Sequence, residues 1–293
     1  MVNTWIALGK SIAGANHKKK GLEGSNQDAL GCLPKPGEPF IIAIADGHGG
    51  DLHFRSKIGS EIAVTQTIQV LQALLKRVKD SPHAALLAVE NATVCLSQDI
   101  VESWCNSVDE DIRNCAPENS DWTRVTYGTT VLAVAITNEF VLYLQLGDGD
   151  ILTVAQNGSV TRPIERNKDL IANATTSLCL DDAALQMKMR VILSKIEQPA
   201  LILLSTDGYS NSFRTDDDFL KAGSDYLEIL QEQGPDYVQD SLDEWLEQTS
   251  KEGSGDDITL ALLWNFATSH QNIVTNDTQV KSSWNENTSL GVE

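Results

Sequence analysis

The chain has no run of about 18 apolar residues that could span a bilayer. Its opening, MVNTWIALGK, lacks the basic segment, long apolar stretch and cleavage site of a secretory leader. A cytoplasmic protein with no membrane partner is the expectation. Basic residues are scarce: 22 Lys and Arg face 41 Asp and Glu, a formal net charge of −19. A field of that sign repels nucleic acid and attracts cations, so no nucleic-acid partner is expected. Cys32, Cys95, Cys105, Cys115 and Cys179 are odd in number and never spaced Cys-x-x-Cys. This argues against a disulfide framework and a zinc knuckle, and for reduced, buried thiols. No internal repeat is visible.

What is present suffices for a sizeable core: 293 residues, 41% of them hydrophobic, allow one large domain or two small ones. From Phe40 the chain reads FIIAIAD and runs into DGHGG, a buried strand delivering its last residue into a glycine-rich turn. From about Leu52 to Lys79, Val64, Ile68, Leu71, Leu75 and Val78 have the spacing of an amphipathic helix. A second helix from about His83 carries the stripe Val94, Val101, Trp104, Val108 and Ile112, with Trp104 read as core filling.

After Asp121 the pattern turns to strands. TTVLAVAIT, EFVLYLQLGD and ILTVAQNGSVTRP, the last with the Asn157-Gly158 hairpin signal, read as an antiparallel meander. MKMRVIL and ALILLSTDG read as another strand pair, followed by a helix around Tyr237 to Thr249 and the strand ITLALLW. Strands on both sides of the helices in sequence predict two antiparallel sheets with helices on their outer faces, not repeating βαβ units. Residues 267–293 are polar and aperiodic, the composition of a disordered tail.

The chemical signal is a set of aspartates where apolar strands meet turns: Asp28 in SNQDA, Asp46 in ADGHGG, Asp148 in LGDGD, Asp207 in STDG and Asp256 in GDDIT. Any one is explained by turn or cap chemistry. Five at the ends of separate strands are another matter, because antiparallel sheets can gather those ends and clustered anions are costly without a counterion. An all-oxygen set suits magnesium or manganese, and no His/Cys cluster favours zinc.

In order along the chain, DGHGG, Tyr127-Gly128-Thr129-Thr130, LGDGD, LSTDG and GDDIT resemble the PPM family of metal-dependent protein phosphatases, type 2C, over roughly residues 8 to 266. The opening GKSIAGANHKKKGLEGSNQDA is similar to a bacterial branch of that family. The resemblance implies an α+β fold, a four-layer αββα sandwich with a binuclear metal site at one end. It implies a catalytic domain over 1–266, the tail at 267–293, and a monomer acting on a phosphorylated protein. Hydrolysis of phosphoserine or phosphothreonine would follow attack by a hydroxide bridging two Mn2+ or Mg2+ ions about 4 Å apart, without a phosphoenzyme.

Carried over by position, Asp46 would bridge both metals, the Gly47 carbonyl would bind one, and Asp207 and Asp256 would hold the other. Asp28 would orient metal-bound waters and Asp148 would touch a weak third ion. His48 would protonate the leaving oxygen. A turn-lining structural histidine is its competing reading.

The chain departs from the family pattern in several places. Glu23 stands where many members have a phosphate-gripping arginine, which leaves the phosphate-binding residue unknown; His17 and Lys18, Lys19 and Lys20 lie nearby as cations or as a solvated loop. Asn211 replaces a frequent third-metal aspartate, Gly149-Asp150 replaces Ser-Arg, and Asp257 replaces a common Asn and either tightens cation binding or caps the turn. The segment from Arg162 to Lys188 stands where the family often carries a flap, and reads either so or as a plain surface connection. Two alternatives use the same residues: a catalytically weak pseudophosphatase that binds a phosphoprotein or regulator, and a small-molecule phosphatase with the same metal site.

Overall fold

The computed structural model describes residues 5–19, 26–33, 40–78, 82–165, 176–194 and 198–266. The tail at 267–293, Glu23, the lysine side chains at 18–20 and the middle of the 162–188 connection lie outside the described residues.

Ten strands form in chain order: β1 (Trp5–Ile12), β2 (Ala29–Leu33), β3 (Phe40–Ala45), β4 (Val131–Ile136), β5 (Phe140–Leu146), β6 (Asp150–Val154), β7 (Val160–Thr161), β8 (Lys188–Leu193), β9 (Leu201–Ser205) and β10 (Ile258–Asn265). They make two five-stranded antiparallel sheets. One is ordered β1-β10-β9-β6-β7, the other β2-β3-β4-β5-β8. The helices are α1 (Ala15–Lys19), α2 (Ser56–Val78), α3 (Pro82–Cys115), α4 (Ala183–Gln186), α5 (Asp207–Ser210), α6 (Asp216–Gln233) and α7 (Pro235–Glu252).

Central strands such as β3, β4, β5 and β10 are buried along their whole length, because each sheet is covered on both faces. Three apolar layers follow from this. Ile42, Ile44, Leu132 and Val134 of one sheet meet Ile202, Leu204, Ala261 and Leu263 of the other. The outer face of the first sheet packs Ile41, Ala43, Ala133 and Leu144 under Val64, Leu71, Ile100 and Trp104 of α2 and α3. The outer face of the second packs Leu152, Leu203, Leu260 and Leu262 under Phe219, Leu230, Leu242 and Leu246 of α6 and α7. This is the predicted αββα sandwich, α+β in class.

Trp104 is fully buried, as its place in the helical stripe predicts. Its indole N–H donates to the Gly59 carbonyl at 3.0 Å, so the one polar atom of a large core side chain is satisfied. None of the described helices is long and apolar enough to cross a membrane.

Two sequence expectations are corrected. The segments after Asp121 are not one meander: β4 pairs with β5, but the Gly147–Gly149 turn then carries the chain across the sandwich, and β6 pairs with β7 and β9. Gly147 makes this crossing at φ 114°, and a Cβ there would stand 2.5 Å from the Thr130 side chain. Nor are β8 and β9 partners. β8 closes the edge of one sheet against β5, and β9 lies between β10 and β6 in the other. Strand-forming patterns do not reveal which sheet a strand joins when both faces are apolar. The helix α6 went unmarked in the sequence analysis, although Phe219, Gly223, Tyr226, Leu227 and Leu230 give it a buried stripe behind an acidic first turn. Thr215 caps it, accepting the Asp218 N–H at 3.1 Å.

Candidate active site

Strand ends from both sheets meet at one edge of the sandwich. Asp28 immediately precedes β2 and Asp46 follows β3, in one sheet; Asp207 follows β9 and Asp256 precedes β10, in the other; Asp148 sits in the crossing turn. Asp28 is buried, Asp46 and Asp207 are half-buried, and Asp148 and Asp256 are exposed.

The backbone around Asp46 is fixed by the Tyr127-Gly128-Thr129-Thr130 segment. The Asp46 N–H donates to the Thr130 hydroxyl at 3.0 Å, and its carbonyl accepts from the Thr129 hydroxyl at 2.7 Å and the Thr130 N–H at 2.8 Å. Gly47 forms a β-bridge with Thr129, and the His48 N–H donates to the Gly128 carbonyl at 3.0 Å. Thr129 is itself tied to Ser177 and Leu178: its N–H donates to the Ser177 hydroxyl, and its carbonyl accepts from that hydroxyl and from the Leu178 N–H. The end of the 162–188 connection is thereby linked to the turn that holds Asp46. The sequence displayed these threonines as part of a motif but gave them no role.

The carboxylates act on one another. Burial, then the Asp257 charge, pushes Asp28 up to about 8, against a donated hydrogen bond from the Thr206 hydroxyl at 2.8 Å; Asp207 adds to the rise. Burial also raises Asp46 well above the usual carboxylate range, with Asp28, Asp207 and Asp148 adding to it. Asp207 is raised by burial, then by Asp148 and Asp256, and its carboxyl is within hydrogen-bonding range of Asp46. Acids this close share protons because they cannot all ionise.

Among the described residues, no three His, Cys, Asp or Glu side chains close into a ready-made cage for a metal. The donor set nevertheless fits a hard divalent cation. It is all oxygen, its members repel one another, and a cation would replace the shared protons. Asn211 does not add to it as a carboxylate would: its amide donates to Asp207 Oδ2 at 3.0 Å.

Asp257 turns away from solvent. Its carboxylate accepts the Gly14 N–H at 2.6 Å and the Gln27 N–H at 2.7 Å and pairs with His17 Nδ1 at 2.8 Å. The side chain does not cap its own turn, as one sequence reading had it; it fastens the segment before α1 and the segment that delivers Asp28. His17, considered beside the phosphate site, is therefore engaged with Asp257. Asp150, in the place of the frequent arginine, is buried and paired with Arg162 Nε at 2.7 Å; Arg162 also forks onto Asp216 at the start of α6.

His48 is half-buried beside Asp46. Burial, then the His53 ring, holds its pKa below the ordinary value, while Asp148 acts in the opposite direction. Nothing in the sequence marks His53, because a histidine three residues past a motif looks like any loop residue.

A family model described as protein phosphatase 2C matches residues 13–247. The chain belongs to that family. No curated protein sequence matches it. Among solved structures, it is similar to the serine/threonine phosphatase Stp1 from Staphylococcus aureus, with 14% identity over 90% of this chain and 95% of that one, at a TM-score of 0.59. The catalytic domain of the serine/threonine protein phosphatase PstP, solved with two manganese ions, shares 18% identity over 90% of this chain and 98% of its own, at 0.56. The Mycobacterium tuberculosis phosphatase PstP/Ppp shares 15% over 90% and 99%, at 0.54. At these identities the likeness is one of fold.

Proposed function

We propose that this phosphatase 2C family member hydrolyses phosphoserine and phosphothreonine in proteins with the help of two divalent cations, manganese or magnesium. The reading is carried by one observation: buried and half-buried aspartates from both sheets, Asp28, Asp46 and Asp207, are each pushed up in pKa by burial and by neighbouring carboxylates, beside a half-buried histidine.

Asp46, Asp207, Asp256 and the Gly47 carbonyl would hold the cations, Asp28 would accept from water beside them, and Asp148 would stand at a weaker third position. When bound, such cations lower the pKa of water and neutralise phosphoryl oxygens. The chain's own part is positional. Thr129 and Thr130 clamp the Asp46 backbone, and Asp257 clamps the Asp28 segment. His48 hands a proton to the seryl or threonyl oxygen as its bond to phosphorus breaks and the incoming water oxygen takes its place. The catalytic unit in this reading spans 1–266.

The test is turnover of a phosphothreonine peptide by the purified protein with manganese, with magnesium, and with excess chelator. Turnover that needs the cation and is abolished by chelation is expected. Cation binding without turnover would replace this reading by a binding protein on the same scaffold.

A further inference from the structure

The segment from Asp46 to His53 is laddered onto the segment from Val125 to Thr130. Asp46 is bonded to Thr129 and Thr130, Gly47 bridges Thr129, the His48 N–H donates to Gly128, and the ladder ends at His53. His53 closes the single 3-10 turn Asp51–His53, and its Nδ1 lies 2.6 Å from the Val125 carbonyl. A carbonyl only accepts, so Nδ1 carries the proton and the ring's orientation is fixed. That ring packs against the ring of His48 with centroids 5.1 Å apart and planes inclined at 64°.

Gly128 shows how closely the pair is seated. A Cβ there would stand 2.7 Å from His53 Nδ1 and 2.8 Å from His48 Cδ2. Both rings therefore rest on the same bare backbone, and no larger residue leaves room for them in these positions. The carbonyl that holds His53 belongs to the short 3-10 helix Arg124–Tyr127, which is anchored in turn. The Arg55 N–H donates to the Thr126 carbonyl at 2.9 Å, and the Arg55 guanidinium bonds Asp111 and lies over the Trp122 and Tyr127 rings. His53 is thus a rigid wall on one side of the His48 ring, which also rests on the Gly128 backbone.

We propose that His53 is a positioning residue for His48: anchored on the Val125 carbonyl and packed edge-on against the His48 ring, it fixes the direction in which that ring delivers a proton to the leaving oxygen. The proposal rests on the general-acid reading of His48. Its signature is dependence on the leaving group. An alkoxide such as that of threonine needs a proton to depart, whereas p-nitrophenolate does not.

The experiment measures kcat/KM for a phosphothreonine peptide and for p-nitrophenyl phosphate, and reads the ratio of the two in His48→Ala, His53→Ala, His53→Asn and the double variant His48→Ala/His53→Ala, each checked for an unfolding midpoint near that of the parent. His48→Ala is expected to lower the ratio about 100-fold, the low end for a general acid. His53→Ala is expected to lower it about tenfold, the order of loss from a misdirected group. His53→Asn, whose amide can still donate to the Val125 carbonyl, recovers part of that loss. The double variant matches His48→Ala alone, because a positioning residue has nothing left to position.

A normal ratio in His53→Ala, or a double variant worse than His48→Ala by the full single-variant factor, overturns the role of His53 and leaves the general acid standing. An unchanged ratio in His48→Ala overturns the general-acid reading, and the proposal with it.

Discussion

The Asp257 carboxylate accepts the Gln27 N–H at 2.7 Å, so the turn before the last strand holds the residue that precedes Asp28. The same carboxylate takes the Gly14 N–H, which joins two N-terminal segments to the far end of the chain through one side chain. Replacing it with alanine leaves buried donors without acceptors. Asp257→Ala is expected to destabilise the protein by about 3 kcal/mol, and Asp257→Asn, which keeps one acceptor oxygen, by less. Urea unfolding of the metal-free protein measures both; equal losses would mean that the hydrogen bonds are not the cause.

Asp28 carries a pH signature. Its folded pKa is raised to about 8, from an ordinary 3.8, by burial and by Asp257. The folded state therefore keeps a proton that the unfolded chain has lost between those values, and stability falls as pH rises through this window. The slope from one such group approaches about 1.4 kcal/mol per pH unit. The metal-free protein is expected to lose thermal stability from pH 5 to pH 8, and Asp28→Asn to flatten that profile. Manganese should raise the melting temperature more at pH 8 than at pH 5, because the cation competes with the protons.

Asp46→Asn separates stability from activity. It removes an acid that Asp28, Asp207 and Asp148 all disfavour in its charged form. Turnover is expected to fall by several orders of magnitude, about 1.4 kcal/mol for each factor of ten, while the metal-free melting temperature at pH 8 rises. Lower stability together with unchanged turnover would remove Asp46 from the site.

The turn at Gly147 is a second place where fold and site meet. With φ at 114° and the Thr130 side chain in the way of a Cβ, Gly147→Ala is expected to cost about 1–3 kcal/mol. Because Thr130 holds the Asp46 N–H, its activity with bound cation should fall further than stability alone explains. Comparing kcat at a temperature where the variant is fully folded checks this.

The layered architecture was legible because central strands such as β3, β4 and β5 are continuous apolar runs and α2 and α3 show their stripes; Trp104 was placed in the core by spacing alone. Strand partnership was not legible. β5 and β8 look like members of separate units, and only the structure pairs Tyr143 with Arg190. At the site, the aspartates stood out because Asp at the tip of an apolar strand is conspicuous. The contacts of Asp257, Thr129 and His53 are set by residues tens or hundreds of positions away, as in the bond from Asp257 to Gly14, and one-dimensional spacing carries no trace of them.

Asp28 and Asp46 ride on one sheet, Asp207 and Asp256 on the other, with apolar side chains such as Ile44 and Leu204 between the layers and the Thr206–Asp28 hydrogen bond crossing at the site. The distances among the four carboxylates therefore gauge how far one sheet has slid over the other. An ion bridging them would act as a rivet between two plates, and a change of one methyl group in the greasy film between those plates would be felt at the rivet without any polar residue having moved.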